Sequence, residues 1–206
     1  MHNNWTKEVV EKLEHDWKTK ESHGAPVVFE MASKLGESFI DLGCGFGKFY
    51  DFLLHNKKSS FTYYGIDSSE AMIERAKQKY PIIAKKCFIF QDIIFPLTCD
   101  LAKVDVVLCN EVFAHLPEVY QCGVLETINS LKSNYVIITI QAFLNGDFIV
   151  ENVNMKGQRF YNVIQNIEDF EDEINFKLDG VTSVKTDVVP LTKKVYKATY
   201  TIRRSI

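Results

Sequence analysis

Two kinds of hydrophobic pattern alternate along the chain. Short apolar runs of strand length recur, and between them apolar residues return every three or four positions, as on one face of a helix. The runs predict five strands, at 39–42, 61–66, 87–91, 104–109 and 135–141. Because helical stretches separate most of these strands, the pattern predicts a largely parallel sheet with helices on both of its faces.

The two ends of the chain add elements to this sheet. An apolar stripe through 5–17 predicts an amphipathic helix, and a second helix is expected from 26 to 36. Near the other end, alternating segments at 181–189 and 194–203 predict a terminal hairpin. The segment 142–161 is the least patterned, so we expect a loop there that serves as a lid or a specificity element.

Composition and charge narrow the class of protein. A length of 206 residues with ordinary hydrophobic content indicates a single domain, 1–206. The formal charge of −3 gives no cationic field for phosphates, which argues against nucleic acid as a partner. The N-terminus has no continuous apolar core, so neither a signal peptide nor a membrane partner is expected. Five scattered cysteines indicate a reducing, cytoplasmic location without a metal site, and no pattern sets the oligomeric state.

The first strand runs into three glycines at alternate positions, Gly43, Gly45 and Gly47, and a helix follows them. Glycine accepts positive φ at little cost and lets a ligand approach the backbone closely. The amides at a helix N-terminus suit anionic or acceptor groups. Between a strand and a helix, these glycines therefore predict nucleotide binding rather than a plain turn. A dinucleotide site would need its third glycine at Lys48, which disfavours a nicotinamide enzyme.

The segment Asp41-Leu-Gly-Cys-Gly-Phe-Gly47 resembles the first motif of the class I S-adenosylmethionine-dependent methyltransferases. Acidic residues after the second and third strands, Asp67 and Asp92, agree with this resemblance, which covers about 39–203. It implies S-adenosyl-L-methionine as cofactor. It also implies an α/β, Rossmann-like methyltransferase fold, with a doubly wound, mostly parallel sheet of seven strands and a C-terminal antiparallel hairpin.

The candidate cofactor contacts lie at the carboxyl ends of successive strands. Asp67 is placed to accept hydrogen bonds from both hydroxyls of a ribose. In the family, an acidic residue at the place of Asp92 accepts from the adenine amino group, and the next amide, Ile93, meets a ring nitrogen. The full set assigned to the cofactor is Asp41, Gly43, Cys44, Gly45, Gly47, Asp67, Ser68, Met72, Asp92, Ile93 and Asn110.

The segment from Asn110 to Pro117 resembles the stretch after the fourth strand in small-molecule methyltransferases. In that comparison Asn110 and Glu111 lie near the methionine part of the cofactor, and His115 edges the substrate pocket. His115 and Glu111 are the candidate catalytic residues, because each can take up the proton that an oxygen or nitrogen acceptor loses. An equally weighted alternative is that His115 only caps or packs before the next helix.

The surroundings of the substrate are expected to come from two segments. The N-terminal helices, 1–36, form a cap over the cofactor cleft, or their Trp5 and Trp17 simply pack on the core. The segment 142–161 supplies candidate lining residues: Phe143, Phe148, Arg159, Phe160 and Tyr161.

The predicted function is direct methyl transfer to an oxygen or nitrogen atom of a small-molecule acceptor. Methylation of RNA or protein and an inactive cofactor-binding module are the alternatives. Asp105 and Asn110 lie near the strand used by metal-dependent methylators, but no third ligand aligns with them, so no metal is expected. The sequence lacks the Asn-Pro-Pro-Tyr segment of adenine methylators and the Pro-Cys nucleophile of cytosine methylators, which disfavours those substrates.

Overall fold

The structure is a computed structural model. It describes residues 6–19, 25–57, 59–83, 87–98, 101, 103–143, 149–155, 158–191 and 195–206. The account of residues 16–19, 25, 143, 149–155 and 158–163 is limited to their backbone.

Helices and strands alternate through most of the described chain. The helices are α1 (Lys7–Thr19), α2 (Ala25–Leu35), α3 (Lys48–Asn56), α4 (Glu70–Lys79), α5 (Glu118–Ser130) and α6 (Ile167–Lys177). The strands are β1 (Ser38–Leu42), β2 (Thr62–Asp67), β3 (Phe88–Phe90), β4 (Val104–Cys109), β5 (Ser133–Phe143), β6 (Ile149–Met155), β7 (Gln158–Asn166), β8 (Val181–Pro190) and β9 (Tyr196–Arg204). A short 3₁₀ helix, Phe113–His115, lies between β4 and α5.

The strands form one sheet whose parallel part has the order β3-β2-β1-β4-β5. On its far side β5 pairs antiparallel with β9, and β9 pairs antiparallel with β8. The predicted doubly wound sheet with a C-terminal antiparallel hairpin is therefore confirmed. The strand order reverses between β1 and β4, which is where open α/β sheets bind ligands at their carboxyl edge.

Helices cover both faces because alternate residues of β1 point to opposite sides of the sheet. Ile40 belongs to the cluster that contains Leu125 and Ile128 of α5. Phe39 belongs to the other cluster, where its ring lies 5.3 Å from that of Phe49 in α3. The buried apolar residues on both faces of the central strands fix the sheet as the middle layer of the fold.

The segment 142–161 is not the loop that its pattern predicts, because its described residues lie largely in strands. The strand β5 continues to Phe143, and β6 and β7 pair with each other antiparallel. Residues 164–166 of β7 also pair in parallel with the end of β5. Asparagines interrupt the apolar positions of this segment and lower its strand propensity, so the pairing of β6 with β7 forms the strands here rather than the local pattern. The lining residues predicted here, Phe143, Phe148, Arg159, Phe160 and Tyr161, have side chains outside the described residues.

The N-terminal helices pack against the Rossmann-like core beside the glycine loop. Val10 of α1 is buried with Phe46 of the loop and Met72 of α4. Arg75 of α4 forms an ion pair with the buried Glu14 of α1, with Nη2 and Oε2 2.6 Å apart. The predicted places of Trp5 and of the Trp17 side chain lie outside the described residues. Among the helices that are described, none has the length and apolar character needed to span a membrane.

Candidate functional site

The glycine loop joins β1 to α3 and is tied to the end of β2. Gly43, Gly45 and Gly47 have φ values of 73°, 55° and 84°, which side-chain-bearing residues rarely adopt. The amides of Gly43 and Cys44 donate to the Ile66 carbonyl at 2.8 and 3.1 Å. A Cβ at Gly43 would approach Val112 Cγ2 to 2.3 Å, so glycine is needed there for space as well as for conformation.

Asp67 ends β2 and accepts hydrogen bonds from two backbone amides. Gly45 N donates to Oδ2 at 2.9 Å and Ser69 N donates to Oδ1 at 2.8 Å. Burial raises the pKa of Asp67 to about 6, against the effect of these two amides, and the nearby charge of Asp92 raises it further. Each carboxylate oxygen can accept a second hydrogen bond, so both remain able to bind ligand hydroxyls.

The end of β3 lies beside the end of β2. Gln91 N donates to the Asp67 carbonyl at 3.1 Å, and the Asp92 carboxylate accepts from Ile94 N at 3.2 Å. Ile93, next to Asp92, is buried in the core. The structure therefore brings together the three strand ends that the sequence predicts, although the ligand roles of their residues stay predictions.

Three of the predicted contact residues support the loop from behind. The buried Asp41 accepts a hydrogen bond from the Tyr63 hydroxyl at 2.8 Å, and burial raises its pKa to about 7 despite that bond. The buried Cys44 thiol donates to the Gly45 carbonyl at 3.4 Å. Met72 packs beside the loop, and its Sδ lies 3.9 Å from the position of a Cβ on Gly45. Their assignment as direct cofactor contacts stays a prediction.

Ser68 and Ser69, which follow Asp67, differ in what they contact. Ser69 caps α4, because its hydroxyl accepts from Met72 N at 3.2 Å. Ser68 is half-buried between Asp67 and this cap. It therefore lies next to the proposed ribose site, and its contact with a ligand stays a prediction.

The chain turns sharply where β4 ends. Glu111 has a φ of 61°, the one positive value at a non-glycine residue in the described chain, and such a conformation costs about 1–3 kcal/mol. Its amide donates to Thr139 Oγ1 at 2.7 Å, and that hydroxyl donates to Asn110 Oδ1 at 3.1 Å. Lys197 forms an ion pair with Glu111, with Nζ and Oε1 2.5 Å apart.

His115 is exposed at the end of the 3₁₀ helix, which packs against β7. A buried polar chain fixes this segment from below. Gln121 Nε2 donates to the Leu116 carbonyl at 3.0 Å, and Gln165 Nε2 donates to Gln121 Oε1 at 2.6 Å. An exposed imidazole on an anchored backbone is accessible to an acceptor molecule, and the role of His115 as a proton acceptor stays a prediction.

The sequence analysis missed Thr139, Lys197 and Lys48. Thr139 and Lys197 lie in β5 and β9, far along the chain from β4, and only the sheet order brings them to Glu111. The sequence offered one signal, which is the presence of Lys197 inside an apolar strand. Burial lowers the pKa of Lys48 to about 7; the charge of Glu111 opposes this shift and that of Lys197 adds to it.

The residues considered for a metal do not lie together. Asp105 is at the amino end of β4, where its carboxylate accepts from the amides of Glu37 (2.8 Å) and Ser38 (3.0 Å). These donors keep the pKa of Asp105 below its usual value. Asn110 is beyond the opposite end of the same strand. The described residues contain no group of three or more His, Cys, Asp or Glu side chains arranged to hold a metal ion.

Comparison with protein families finds a match to the family described as a methyltransferase domain, over residues 33–198. Among curated proteins, a carboxy-S-adenosyl-L-methionine synthase from Campylobacter hominis is 31% identical over 110 residues. That match covers 52% of this chain and 45% of the relative, so the chain spans less than half of the relative's length.

Solved structures with the same fold include methyltransferases. An S-adenosylmethionine-dependent methyltransferase from Clostridium acetobutylicum is 14% identical, with a TM-score of 0.63 and coverage of 95% of this chain and 99% of that one. The complex of DhpI with S-adenosylhomocysteine is 15% identical, with a TM-score of 0.64 and coverage of 94% and 91%. At such identities the likeness shows the shared fold.

Proposed function

This chain belongs to the methyltransferase domain family, and on that premise we propose that it transfers the methyl group of S-adenosyl-L-methionine to an oxygen or nitrogen atom of a small-molecule acceptor. The observation that carries the proposal is the convergence of three strand ends. The amide of Gly45 lies 2.9 Å from the carboxylate of Asp67, and the nearby charge of Asp92 raises the pKa of Asp67. Polar groups at the carboxyl ends of neighbouring parallel strands are where α/β sheets of this kind bind nucleotides.

The residues present fit the adenosine part of the cofactor. A Cβ on Gly45 would lie 3.9 Å from Met72 Sδ, which is an ordinary van der Waals distance, so the loop has room for a group to approach there. In the proposal the two oxygens of Asp67 accept from the ribose hydroxyls. Asp92 accepts from the adenine amino group, and the backbone of Ile93 meets the ring.

The protein's chief task in this reaction is alignment. When bound, the cofactor supplies a methyl group that its sulfonium charge has already activated. Holding the acceptor in line with that methyl group accounts for much of the rate. We assign proton removal from the acceptor to His115, because Glu111 already accepts a hydrogen bond from Lys197. Glu111 then helps to orient the bound ligand and does not remove the proton from the acceptor.

A small-molecule acceptor is supported by the net charge of −3, which gives the chain no general attraction for RNA. It is also consistent with the family resemblance of the segment from Asn110 to Pro117. The cytoplasmic location is likewise part of the proposal and comes from cysteine usage.

A second candidate is formation of a carboxylated cofactor, as the name of the curated relative suggests. The charges of Lys48 and Lys197 interact with each other and with Glu111. Of the two, Lys48 is the cation that could bind a carboxylate that joins the cofactor, because Lys197 is buried. The two candidates differ in which molecule gains mass, the acceptor or the cofactor.

The proposal is tested first by calorimetric titration with S-adenosylhomocysteine and, in parallel, with NAD. We expect the wild type to bind S-adenosylhomocysteine and not NAD. Asp67→Ala should weaken that binding about a hundredfold, since it loses two charge-assisted hydrogen bonds. Asp187→Ala, an exposed acid on β8, is the matched control and should bind as the wild type does. Failure of the wild type to bind S-adenosylhomocysteine would overturn the proposal.

Activity is then measured with methyl-labelled cofactor and fractionated extracts. Label in a small molecule supports the proposal, and label in RNA or protein contradicts the acceptor class. A cofactor product heavier by a carboxyl group supports the second candidate. Binding without any turnover in the complete set of fractions supports an inactive module.

A further inference from the structure

Lys197 lies in the last strand of the fold and yet reaches the end of β4. The residue is 3% exposed and pairs across the sheet with Gln141 of β5. Lysine is almost never buried to this degree without a charged partner. Its Nζ donates to Glu111 Oε1 at 2.5 Å, and it lies 3.5 Å from Asn110 Oδ1.

Glu111 is held in a costly conformation by groups from two other strands. Its positive φ persists only where the surrounding structure determines it. Thr139 of β5 accepts from the Glu111 amide and donates to Asn110 Oδ1. Lys197 of β9 engages the carboxylate. The arrangement of Asn110 and Glu111 is therefore imposed by the tertiary fold and not by the local sequence.

Burial distinguishes the two partners of the ion pair. The side chain of Lys197 is 4% exposed, whereas that of Glu111 is 37% exposed. A ligand can therefore reach the carboxylate but not the ammonium group. Lys197 can act on a ligand through Glu111, and it cannot serve as a direct contact.

We propose that Lys197 is a positioning residue: it fixes the carboxylate of Glu111, and with it the side chain of Asn110, where they meet the amino-acid end of the bound cofactor. This inference rests on the proposed function. The carboxylate suits the ammonium group at that end of the cofactor, to which it makes a charge-assisted hydrogen bond.

Two ligands separate positioning from a structural effect. S-adenosylhomocysteine carries the amino-acid end, and 5′-methylthioadenosine keeps the adenosine and the sulfur but lacks that end. In Lys197→Met we expect the dissociation constant for S-adenosylhomocysteine to rise about tenfold or more. That for 5′-methylthioadenosine should stay within about twofold. Lys185→Met, the same change at an exposed site of the terminal hairpin, is the control and should alter neither value.

A double-mutant cycle tests whether Lys197 acts through Glu111. We expect Glu111→Gln to produce the same selective loss, and Lys197→Met to add little to it. Lys197→Arg keeps the charge and should recover most of the affinity. Should Lys197→Met not fold, Thr139→Val replaces it, because the loss of that hydroxyl removes the acceptor of the Glu111 amide and one donor to Asn110 Oδ1.

The possible results distinguish a failure of the positioning role from a failure of the proposed function. If the wild type binds neither ligand, the proposed function itself is wrong. If the wild type binds both ligands and Lys197→Met weakens both equally, or weakens neither, the function stands and the positioning role is wrong. Additive losses in the cycle would also overturn it.

Discussion

Asp41 is buried directly before the glycine loop, where its carboxyl group accepts from the Tyr63 hydroxyl. Its ordinary pKa is 3.8, and burial raises it to about 7 in the folded protein. Between these two values the folded state holds a proton that the unfolded state has lost. Its contribution to stability is therefore full below about pH 4 and decreases as the pH rises to about 7.

Replacing Asp41 tests this linkage. From about pH 5 to about pH 7, we expect the free energy of unfolding of the wild type to fall by roughly 2–3 kcal/mol more than that of Asp41→Asn. The reason is that Asn keeps an acceptor for Tyr63 but has no proton to lose. Urea unfolding followed by circular dichroism at several pH values measures the difference. The exposed Asp187→Asn serves as control, and parallel pH curves for the wild type and Asp41→Asn would contradict the argument.

The placement of single residues was predictable where it follows from a position at a strand end. The glycines, Asp67 and Asp92 are marked by the strands before them, and the parallel order of those strands brings their ends together. Thr139 and Lys197 were not predictable, because their neighbours depend on which strand pairs with β5. The positive φ of Glu111 has no local signal either, since glutamate is not a residue that favours it.

At the scale of elements, α1 is attached to the core through a small set of contacts. Its contacts described above are the small cluster around Val10 and the ion pair of Glu14 with Arg75. Arg75 Nε also donates to Glu14 Oε2 at 2.7 Å, so the guanidinium makes two contacts with one carboxylate oxygen. Since the cluster includes Phe46, the position of α1 and the glycine loop are coupled.

Arg75→Met is expected to loosen α1 without unfolding the core. It leaves the buried Glu14 carboxylate without its arginine, which is strongly destabilising for the contact between the two helices. Hydrogen exchange in residues 7–19 should then be faster by about tenfold or more, while exchange in β1 and β4 stays slow. Mass spectrometry of peptic fragments measures both. Lys77→Met on the same helix, whose partner Glu74 is exposed, is the control; unchanged exchange in α1 would show that the apolar cluster alone holds it.

The predicted elements agree with the structure wherever apolar periodicity is strong. The strand β4 has the predicted bounds. The hairpin of β6 and β7 was mistaken for a loop because its strands owe their pairing to each other and to β5. Such pairing leaves little trace in a segment that is rich in asparagine.

At the scale of the whole molecule, β9 holds the terminal hairpin in the sheet. It pairs with β5 from Tyr135 to Ala142 and with β8 along its other edge. Ala198, Tyr200 and Ile202 bury their side chains in the core next to β5. The hairpin is therefore an integral layer of the core and not an appendage.

Removal of residues 181–206 is expected to abolish folding, because β5 would lose the partner along its whole far edge. Circular dichroism should show no cooperative urea transition for this variant. Removal of residues 1–19 is the comparison, and we expect it to keep a cooperative transition since the sheet stays complete. A cooperative transition in the chain without the hairpin would contradict the role given to β9.

The place of β9 also determines when the protein can first work during its synthesis. The glycine loop, Asp67 and Asp92 leave the ribosome early, while the far edge of β5 still lacks its partner. An apolar strand with an open edge is a template for pairing with other chains, so the nascent protein is exposed to that risk until β9 emerges. An mRNA truncated within the codons of the terminal hairpin would therefore yield a protein without a functional site, although every residue of the glycine loop had already been translated.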